Sequence, residues 1–216
     1  MSGQDFIAAL EKALQGAKGG LEAQLRMAPE FRKEEIAKKK SEDAPARKSA
    51  VIILINALDN EPKLIFTKRS PKLKVHRGQV SFPGGQCDKE DQSPLHTALR
   101  ELREEIGIDS EDVAVLGSLS DLFIPPSNFD VKVLVGALKR KPEYKLNYDE
   151  VAEVVEVPVR MLLDAGNVKE KVFYKSTSGR ERKAPYYDVI GLEIWGATAM
   201  IVSELLDLLR RHKIMP

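Results

Sequence analysis

The pattern of hydrophobic and polar residues from position 50 onward predicts strands mixed with helices. Runs rich in aliphatic and β-branched residues are typical of strands, and they occupy residues 51–58, 64–68, 113–116, 131–138, 172–174 and 186–192. Apolar positions at helical spacing predict a short helix that opens at Pro158 and a closing helix over 197–211. Strands and helices in this order favour an α/β fold with a sheet covered on both faces.

The first 48 residues have a different pattern. Phe6, Ile7, Leu10 and Leu14 recur at helical spacing and predict a short amphipathic helix that stops near residues 16–20. A second, charged segment ends in the basic run at 38–40, which we interpret as solvated. We therefore expect a helical arm over 1–48, which packs on the body or touches a partner subunit, and a main domain over 49–216.

A second amphipathic helix is predicted to end at Gly107. At roughly 100° per residue, its apolar positions form a stripe that would seat it on a core; they are Leu95, Ala98, Leu99, Leu102 and Ile106. Glu101, Glu104 and Glu105 fall on an adjoining face at spacings of three and four residues. Like charges at this spacing destabilise a helix, so we expect something to offset their repulsion.

Two interpretations of these carboxylates are open. A solvated helix face is the commoner one, and Arg100 can reach Glu104 at i, i+4. A hard divalent cation is the other, because Mg²⁺ takes oxygen ligands. The residues that begin and end the helix favour the cation, namely Ser93, Pro94 and Gly107. The preceding Gly84 and Gly85 favour it too, because they allow the backbone to approach a ligand closely.

The segment 85–108 resembles the Nudix box, the signature of hydrolases that split diphosphates linked to another moiety. The resemblance rests on Gly85 and on the run Arg-Glu-Leu-x-Glu-Glu-x-Gly-Ile at 100–108. Two features depart from the general box. Gln92 stands where the box has Glu, and the spacing from Gly85 to Arg100 is one residue longer.

Residues 64–85 resemble a further signature, LLTxRSxxxRxxxGxVxFPGG, of the coenzyme A diphosphatase branch of the family. The longer acidic loop with Asp88 and Asp91 is also similar to that branch, as are residues 126–129 and 194–199. Lys74 stands where the branch usually has Arg. Lysine keeps the charge but lacks the planar fork that grips phosphate with two bonds.

The resemblance implies a Nudix-type α/β/α sandwich with a mixed sheet, and Mg²⁺ (or Mn²⁺) as the cofactor. Glu101, Glu104 and Glu105 are the expected metal ligands, with a backbone carbonyl of Gly85 as a further one. Substrate contacts are expected from residues of the two signatures, namely Arg69, Lys74, Gly78, Phe82, Gly84 and Gly85.

The catalytic roles remain partly open at this point. The general base is Glu105 or a carboxylate of the acidic loop at 149–153, where we prefer Glu150 to Glu153. Arg100 is expected to hold the carboxylates in place rather than to contact the substrate.

The branch resemblance implies hydrolysis of coenzyme A or acyl-CoA to 3′,5′-ADP and 4′-phosphopantetheine products. A second hypothesis keeps the chemistry but takes ADP-ribose, a dinucleotide or a nucleoside triphosphate. A third is a Nudix-like sensor that binds its ligand without cleaving it. The intact carboxylates Glu101, Glu104 and Glu105 count against the sensor, which would not require them.

Composition limits the classes of molecule that this protein is expected to bind. Lys and Arg total 34 against 33 for Asp and Glu, so no overall field attracts nucleic acid or a membrane surface. The single cysteine, Cys87, excludes an intramolecular disulfide and fits a reducing compartment. No apolar run approaches the roughly 18 residues of a membrane span, and the N-terminus lacks a signal-peptide core. We therefore expect a cytoplasmic enzyme with a small-molecule substrate and, because Nudix enzymes of this size often pair, a homodimer.

Overall fold

A mixed sheet of eight strands forms the centre of the computed structural model, which describes residues 1–37, 46–175 and 181–216. Its strands are β1 (Arg47–Asn56), β2 (Lys63–Arg69), β3 (Val80–Ser81), β4 (Gly84–Gln86), β5 (Val113–Ser118), β6 (Leu122–Ile124), β7 (Phe129–Leu138) and β8 (Val151–Pro158). A second, antiparallel sheet contains β9 (Val168–Lys175), β10 (Glu181–Val189) and β11 (Leu192–Trp195). The helices are α1 (Gly3–Leu14), α2 (Gly20–Leu25), α3 (Glu30–Ala37), α4 (Pro94–Ile106), α5 (Val159–Leu163) and α6 (Gly196–Arg211).

Strand β1 lies in the middle of the large sheet and is buried on both faces. It pairs in parallel with β7 and antiparallel with β2, so the sheet is mixed. Ile52 and Leu54 pack on one face with α4, whereas Ile53 and Ile55 pack on the other with α1 and α6. This alternation follows from the two-residue repeat of a strand, and it confirms the expected α/β/α sandwich.

The β3–β4 segment fills the gap where β1 and β2 separate. Strand β2 pairs with β1 near its beginning and with β3 near its end, at Thr67 and Lys68. The chain then passes Pro83, whose carbonyl accepts the Ile52 N–H at 3.0 Å, and pairs as β4 with residues 49–51 of β1. This insertion brings Gly84 and Gly85 beneath helix α4.

Two of the predicted elements need correction. The strand expected over 186–192 is interrupted, because Ile190 and Gly191 have φ angles of 45° and 76° and form the turn between β10 and β11. The expected acidic loop at 149–153 is a loop only at its start, since β8 begins at Val151. The other predicted strands and helices are present with shifted ends. The basic run at 38–40 lies outside the described residues.

The N-terminal helices pack on the body. Phe6 and Leu10 of α1 are 1% and 0% exposed and belong to the same hydrophobic cluster as Leu205 and Leu206 of α6. A Cβ on Gly3 would overlap the carbonyl oxygen of Ala57, so the start of α1 lies directly against the end of β1. The arm thus completes one side of the sandwich.

A buried carboxylate fixes α2 on α6. Glu204 is fully buried, and its Oε1 accepts the N–H groups of Gly20 at 3.0 Å and Ser120 at 3.2 Å. Its Oε2 accepts the side-chain amide of Gln24 at 2.8 Å. Because both oxygens of Glu204 accept hydrogen bonds, this carboxylate joins three segments that are distant in sequence.

Within the described part of the chain, no helix combines the length and the apolar character of a membrane span.

We expect Glu204→Ala to lower the free energy of unfolding by roughly 3 kcal/mol, because each buried donor left without an acceptor costs about 1–3 kcal/mol. Guanidinium denaturation followed by circular dichroism measures this change. Glu22→Ala is the matched control, since the Glu22 side chain is 90% exposed on α2. Equal denaturation midpoints for wild type and Glu204→Ala would contradict the prediction.

Candidate active site

Helix α4 carries the first two carboxylates of the site. Its N-cap is Ser93, whose Oγ accepts the His96 N–H at 3.1 Å, and Pro94 occupies the first helical position. Its end is Gly107, with φ 75°, as the sequence predicts. Glu101 and Glu105 lie one turn apart on the side of the helix that faces the β3–β4 segment.

The third carboxylate comes from the turn before β8. One oxygen each of Glu101, Glu105 and Glu150 lies within 4.8 Å of the others, which makes this the one candidate metal-binding group in the described chain. The turn is fixed on the end of α4, because the Asn147 N–H donates to the Glu105 carbonyl at 3.0 Å. Ser70, just after β2, donates its N–H to the Glu150 carbonyl at 2.8 Å. Three separate segments therefore hold the group together.

The structure does not bring the carboxylates of Glu104 and Glu153 into this group. Glu104 is 54% exposed and accepts Arg100 Nη1 at 3.0 Å. Glu153 is 58% exposed and lies 3.9 Å from the Lys68 amino group. On a helical wheel Glu104 and Glu105 fall on opposite sides of Glu101, roughly 100° apart. Glu105 adjoins the apolar stripe and is buried, whereas Glu104 points toward solvent.

Gly84 and Gly85 leave room for Glu101 and for the main chain of β1. Gly84 has φ 148°, and a Cβ there would overlap the Ala50 carbonyl oxygen. A Cβ on Gly85 would overlap the carboxylate of Glu101. A side chain at either position would displace β4 or the carboxylate, which accounts for both glycines of the motif.

Burial and mutual repulsion make the group costly without a cation. Burial, together with the charges of Glu101 and Glu150, raises the pKa of Glu105 to about 8, although Arg69 and the Gly84 N–H oppose the shift. Burial also raises the pKa of Glu101 above its usual value, with Arg100 opposing. Oε2 of Glu105 is buried and has no hydrogen-bond partner among the described residues. A buried carboxylate oxygen of this kind is satisfied by a bound cation, a proton or an ordered water.

Arg100 connects Glu101 to the loop between β4 and α4, which contains Asp91. Its guanidinium donates to both carboxylate oxygens of Asp91, at 3.1 and 2.9 Å, and to Glu101 Oε1 at 3.1 Å. The Asp91 side chain is 2% exposed and also accepts Thr97 Oγ1 at 2.9 Å. These bonds, first of all those from Arg100, hold the pKa of Asp91 well below its usual range. The sequence analysis named Asp91 only as part of the loop similar to the branch and assigned it no bond to Arg100. Gln92 at the usual Glu position was the available signal that another carboxylate pairs with Arg100.

The predicted substrate-binding residues occupy different environments. Arg69 ends β2 near Glu105, and its Nε is buried without a hydrogen-bond partner among the described residues. Lys74 and Gly78 are exposed in the loop between β2 and β3, where Gly78 has φ 66°. Phe82 is 3% exposed and stacks on Phe66 with ring centroids 4.7 Å apart, so it supports the glycine segment from the core.

These residues fit a hard divalent cation. Carboxylate oxygens are the ligands that Mg²⁺ and Mn²⁺ prefer, and the buried Oε2 of Glu105, which has no hydrogen-bond partner among the described residues, is available to coordinate such an ion. Glu101 and Glu105 would hold the ion, with the exposed Glu150 carboxylate next to them. Glu104 would remain paired with Arg100.

Comparisons with known proteins agree with this geometry. Residues 46–176 match the model of the NUDIX domain family. An uncharacterized Nudix hydrolase NudL from Pectobacterium atrosepticum is 37% identical over 161 residues, which cover 74% of this chain and 81% of that protein. A NudL from Citrobacter koseri, also described as uncharacterized, is 34% identical over 163 residues, with coverages of 74% and 81%.

Solved structures show the same fold. A Nudix hydrolase from M. smegmatis, RenU, has a TM-score of 0.51 at 12% identity and covers 79% of this chain and 88% of its own. A MutT protein from Methanosarcina mazei has a TM-score of 0.50 at 20% identity, with coverages of 80% and 99%. At these identities the likeness concerns the fold alone.

We expect Glu105→Gln to stabilise the metal-free protein by roughly 2–4 kcal/mol near pH 9. Because the folded-state pKa of Glu105 is raised to about 8, folding requires a buried charge above that pH. The advantage of the variant should therefore grow from about pH 5 to pH 9. Denaturation in the presence of a chelator measures it, with the exposed Glu104→Gln as control. A variant no more stable than wild type at pH 9 would disprove the electrostatic cost.

Proposed function

We propose that this chain, which belongs to the Nudix hydrolase family, hydrolyses the diphosphate of coenzyme A or acyl-CoA. The products would be 3′,5′-ADP and 4′-phosphopantetheine or its acyl derivative. The observation that carries the proposal is the contact between the upstream signature and the turn that holds Glu150. Ser70 of the upstream signature donates its N–H to the Glu150 carbonyl at 2.8 Å, so the loop after β2 adjoins the carboxylate group.

This loop supplies cations to a second anionic group of the substrate. Lys74 and Arg77 are exposed and form no ion pair or side-chain hydrogen bond with the described residues. Lys72, by contrast, is paired with Asp149 at 2.7 Å. Coenzyme A carries a 3′-phosphate besides its diphosphate, and unpaired cations beside the site favour such a substrate.

The three carboxylates would have separate roles in the reaction. Glu150 is the exposed member of the group, and it would accept the proton of the attacking water as the general base. The water oxygen joins one phosphorus while the bridging P–O bond breaks, and the leaving phosphate ester takes up a proton. A divalent cation bound at Glu101 and Glu105 would neutralise diphosphate charge and lower the pKa of water.

Arg69 and Arg100 would contribute to the reaction without transferring a proton. The buried Nε of Arg69 is a donor without a hydrogen-bond partner among the described residues, and a diphosphate oxygen would satisfy it. Arg100 would keep Glu101 in position through its bonds to Asp91. The first is a substrate-binding role and the second a positioning role.

Hydrolysis in ¹⁸O-water tests the reaction. The protein is incubated with Mg²⁺ and acetyl-CoA, and the label is located by mass spectrometry. We expect label on a phosphate of one product and an intact thioester. Label on acetate with free coenzyme A would mean thioester hydrolysis, and cleavage of ADP-ribose but not of coenzyme A would restrict the function to the second substrate class.

We expect Glu101→Gln and Glu105→Gln to reduce turnover at least ~100-fold, which equals about 3 kcal/mol of barrier. Folding should survive because the apolar stripe of α4 is unchanged. Near-normal turnover of either variant at saturating Mg²⁺ would contradict the metal assignment.

Glu150→Gln and Glu153→Gln form a matched pair for the general base. We expect the first to lower kcat by about 10²- to 10⁴-fold and the second to change it less than about twofold, because Glu153 pairs with Lys68 outside the group. A pH profile of kcat for each variant checks the assignment. The reverse order would transfer the role to Glu153.

The 3′-phosphate gives a further prediction. A charge-assisted contact is worth roughly 1.5–3 kcal/mol, so kcat/KM should be about 10- to 100-fold higher for coenzyme A than for dephospho-coenzyme A. Lys74→Ala should shrink this ratio without slowing cleavage of the dephospho form. Lys74→Arg should keep or raise it, because the guanidinium grips phosphate with two bonds. Equal cleavage of both substrates by the wild type would remove the 3′-phosphate from the proposal.

A further inference from the structure

Two exposed apolar side chains stand out in the loops that adjoin the carboxylate group. Tyr148 and Val75 are 66% and 63% exposed, which makes them the most exposed large hydrophobic residues in the described part of the chain. Single exposed apolar residues are ordinary on protein surfaces. These two, however, belong to the two loops that border the same site, and apolar surface next to charged groups is typical of ligand binding.

The two loops are joined to each other. Ser70 Oγ donates to the Tyr148 carbonyl at 3.0 Å, and Lys72 forms an ion pair with Asp149 at 2.7 Å. Tyr148 precedes Glu150 by two residues, a separation of at most about 7 Å along the chain. In a nucleoside diphosphate the ribose separates the base from the phosphates by a similar length.

The main chain at Tyr148 is fixed, whereas its ring is exposed. The preceding Asn147 donates its N–H to the Glu105 carbonyl at 3.0 Å, and its side-chain oxygen accepts the Asp149 N–H at 3.2 Å. The ring of Tyr148 makes no aromatic contact or hydrogen bond with the described residues. A ring held by a rigid turn loses little conformational entropy when a planar group stacks on it.

We propose that Tyr148 binds the nucleobase of the substrate by stacking. Each nucleobase presents a π-face that a tyrosine ring can cover, and Lys74 belongs to the loop that Ser70 and Lys72 join to the Tyr148 turn, where it would meet a phosphate on the ribose. The inference rests on the proposed function only in requiring a nucleoside diphosphate derivative. It applies equally to coenzyme A and to ADP-ribose.

Calorimetric titration with two non-hydrolysable probes tests it. Adenosine 5′-(α,β-methylene)diphosphate contains the base, and methylenediphosphonate does not. We expect Tyr148→Ala to raise the Kd of the first probe about 5- to 100-fold in the presence of Mg²⁺. The Kd of the second probe should stay within about twofold, because the diphosphate contacts remain.

Two further variants separate stacking from general damage. Tyr148→Phe should bind the adenosine probe within about twofold of wild type, since it keeps the ring. Leu58→Ala is the matched control, because Leu58 is 49% exposed in the turn at the opposite end of β2. It should change neither Kd.

The outcomes distinguish this inference from the substrate assignment. Weaker binding of the adenosine probe alone by Tyr148→Ala supports stacking even if coenzyme A proves not to be cleaved. An unchanged Kd for that probe, or an equal loss of affinity for both probes, overturns stacking even if coenzyme A is cleaved. Wild-type protein that binds the adenosine probe no more tightly than methylenediphosphonate also overturns it.

Discussion

The concentration of negative charge at Glu101, Glu105 and Glu150 is the constraint on which the rest of the site depends. Three carboxylate oxygens lie within 4.8 Å of one another, and one belongs to a residue that is 4% exposed. Burial weakens solvation of these charges and strengthens their repulsion. The surrounding structure must therefore hold them in place at a cost, which a bound cation or a proton offsets.

Rigid connections on every side supply that restraint. Apolar packing of Leu102 and Ile106 fixes α4 on the sheet. The pair formed by Arg100 and Asp91 ties Glu101 to the loop between β4 and α4. Ser70 ties the turn of Glu150 to the end of β2. Packing supplies most of the stability, while the polar bonds decide where each carboxylate points.

The N-terminal arm contributes to the same framework from the opposite face. Phe6 and Leu10 extend the hydrophobic cluster that contains Phe66 and Phe82. Phe82 in turn precedes the glycines beneath Glu101. Packing of the arm is thus continuous with the support of the segment that contains Gly84 and Gly85. The buried Glu204 holds α2 and α6 together on that side.

The sequence by itself determined what local patterns encode. Runs of aliphatic and β-branched residues identified most strands. The caps Ser93 and Gly107 defined helix α4 to the residue because capping depends on a few neighbouring positions. Helical periodicity placed Glu101, Glu104 and Glu105 on one face beside the apolar stripe, and it did not distinguish the exposed Glu104 from the other two. The start of strand β8 is not predicted because pairing with the distant strand β2 decides it. The turn at Ile190 and Gly191 is local, but it lies inside one continuous run of strand-forming residues.

Only the tertiary structure decided which distant groups meet. Glu150 lies more than forty residues beyond α4. A hydrogen bond from Asn147 fixes its turn on the helix, and one from Ser70 joins the turn to the end of β2. The pairing of Asp91 with Arg100 depends on the path of the loop between them. Helical spacing relates residues within one element, whereas a site built from several segments depends on packing between them.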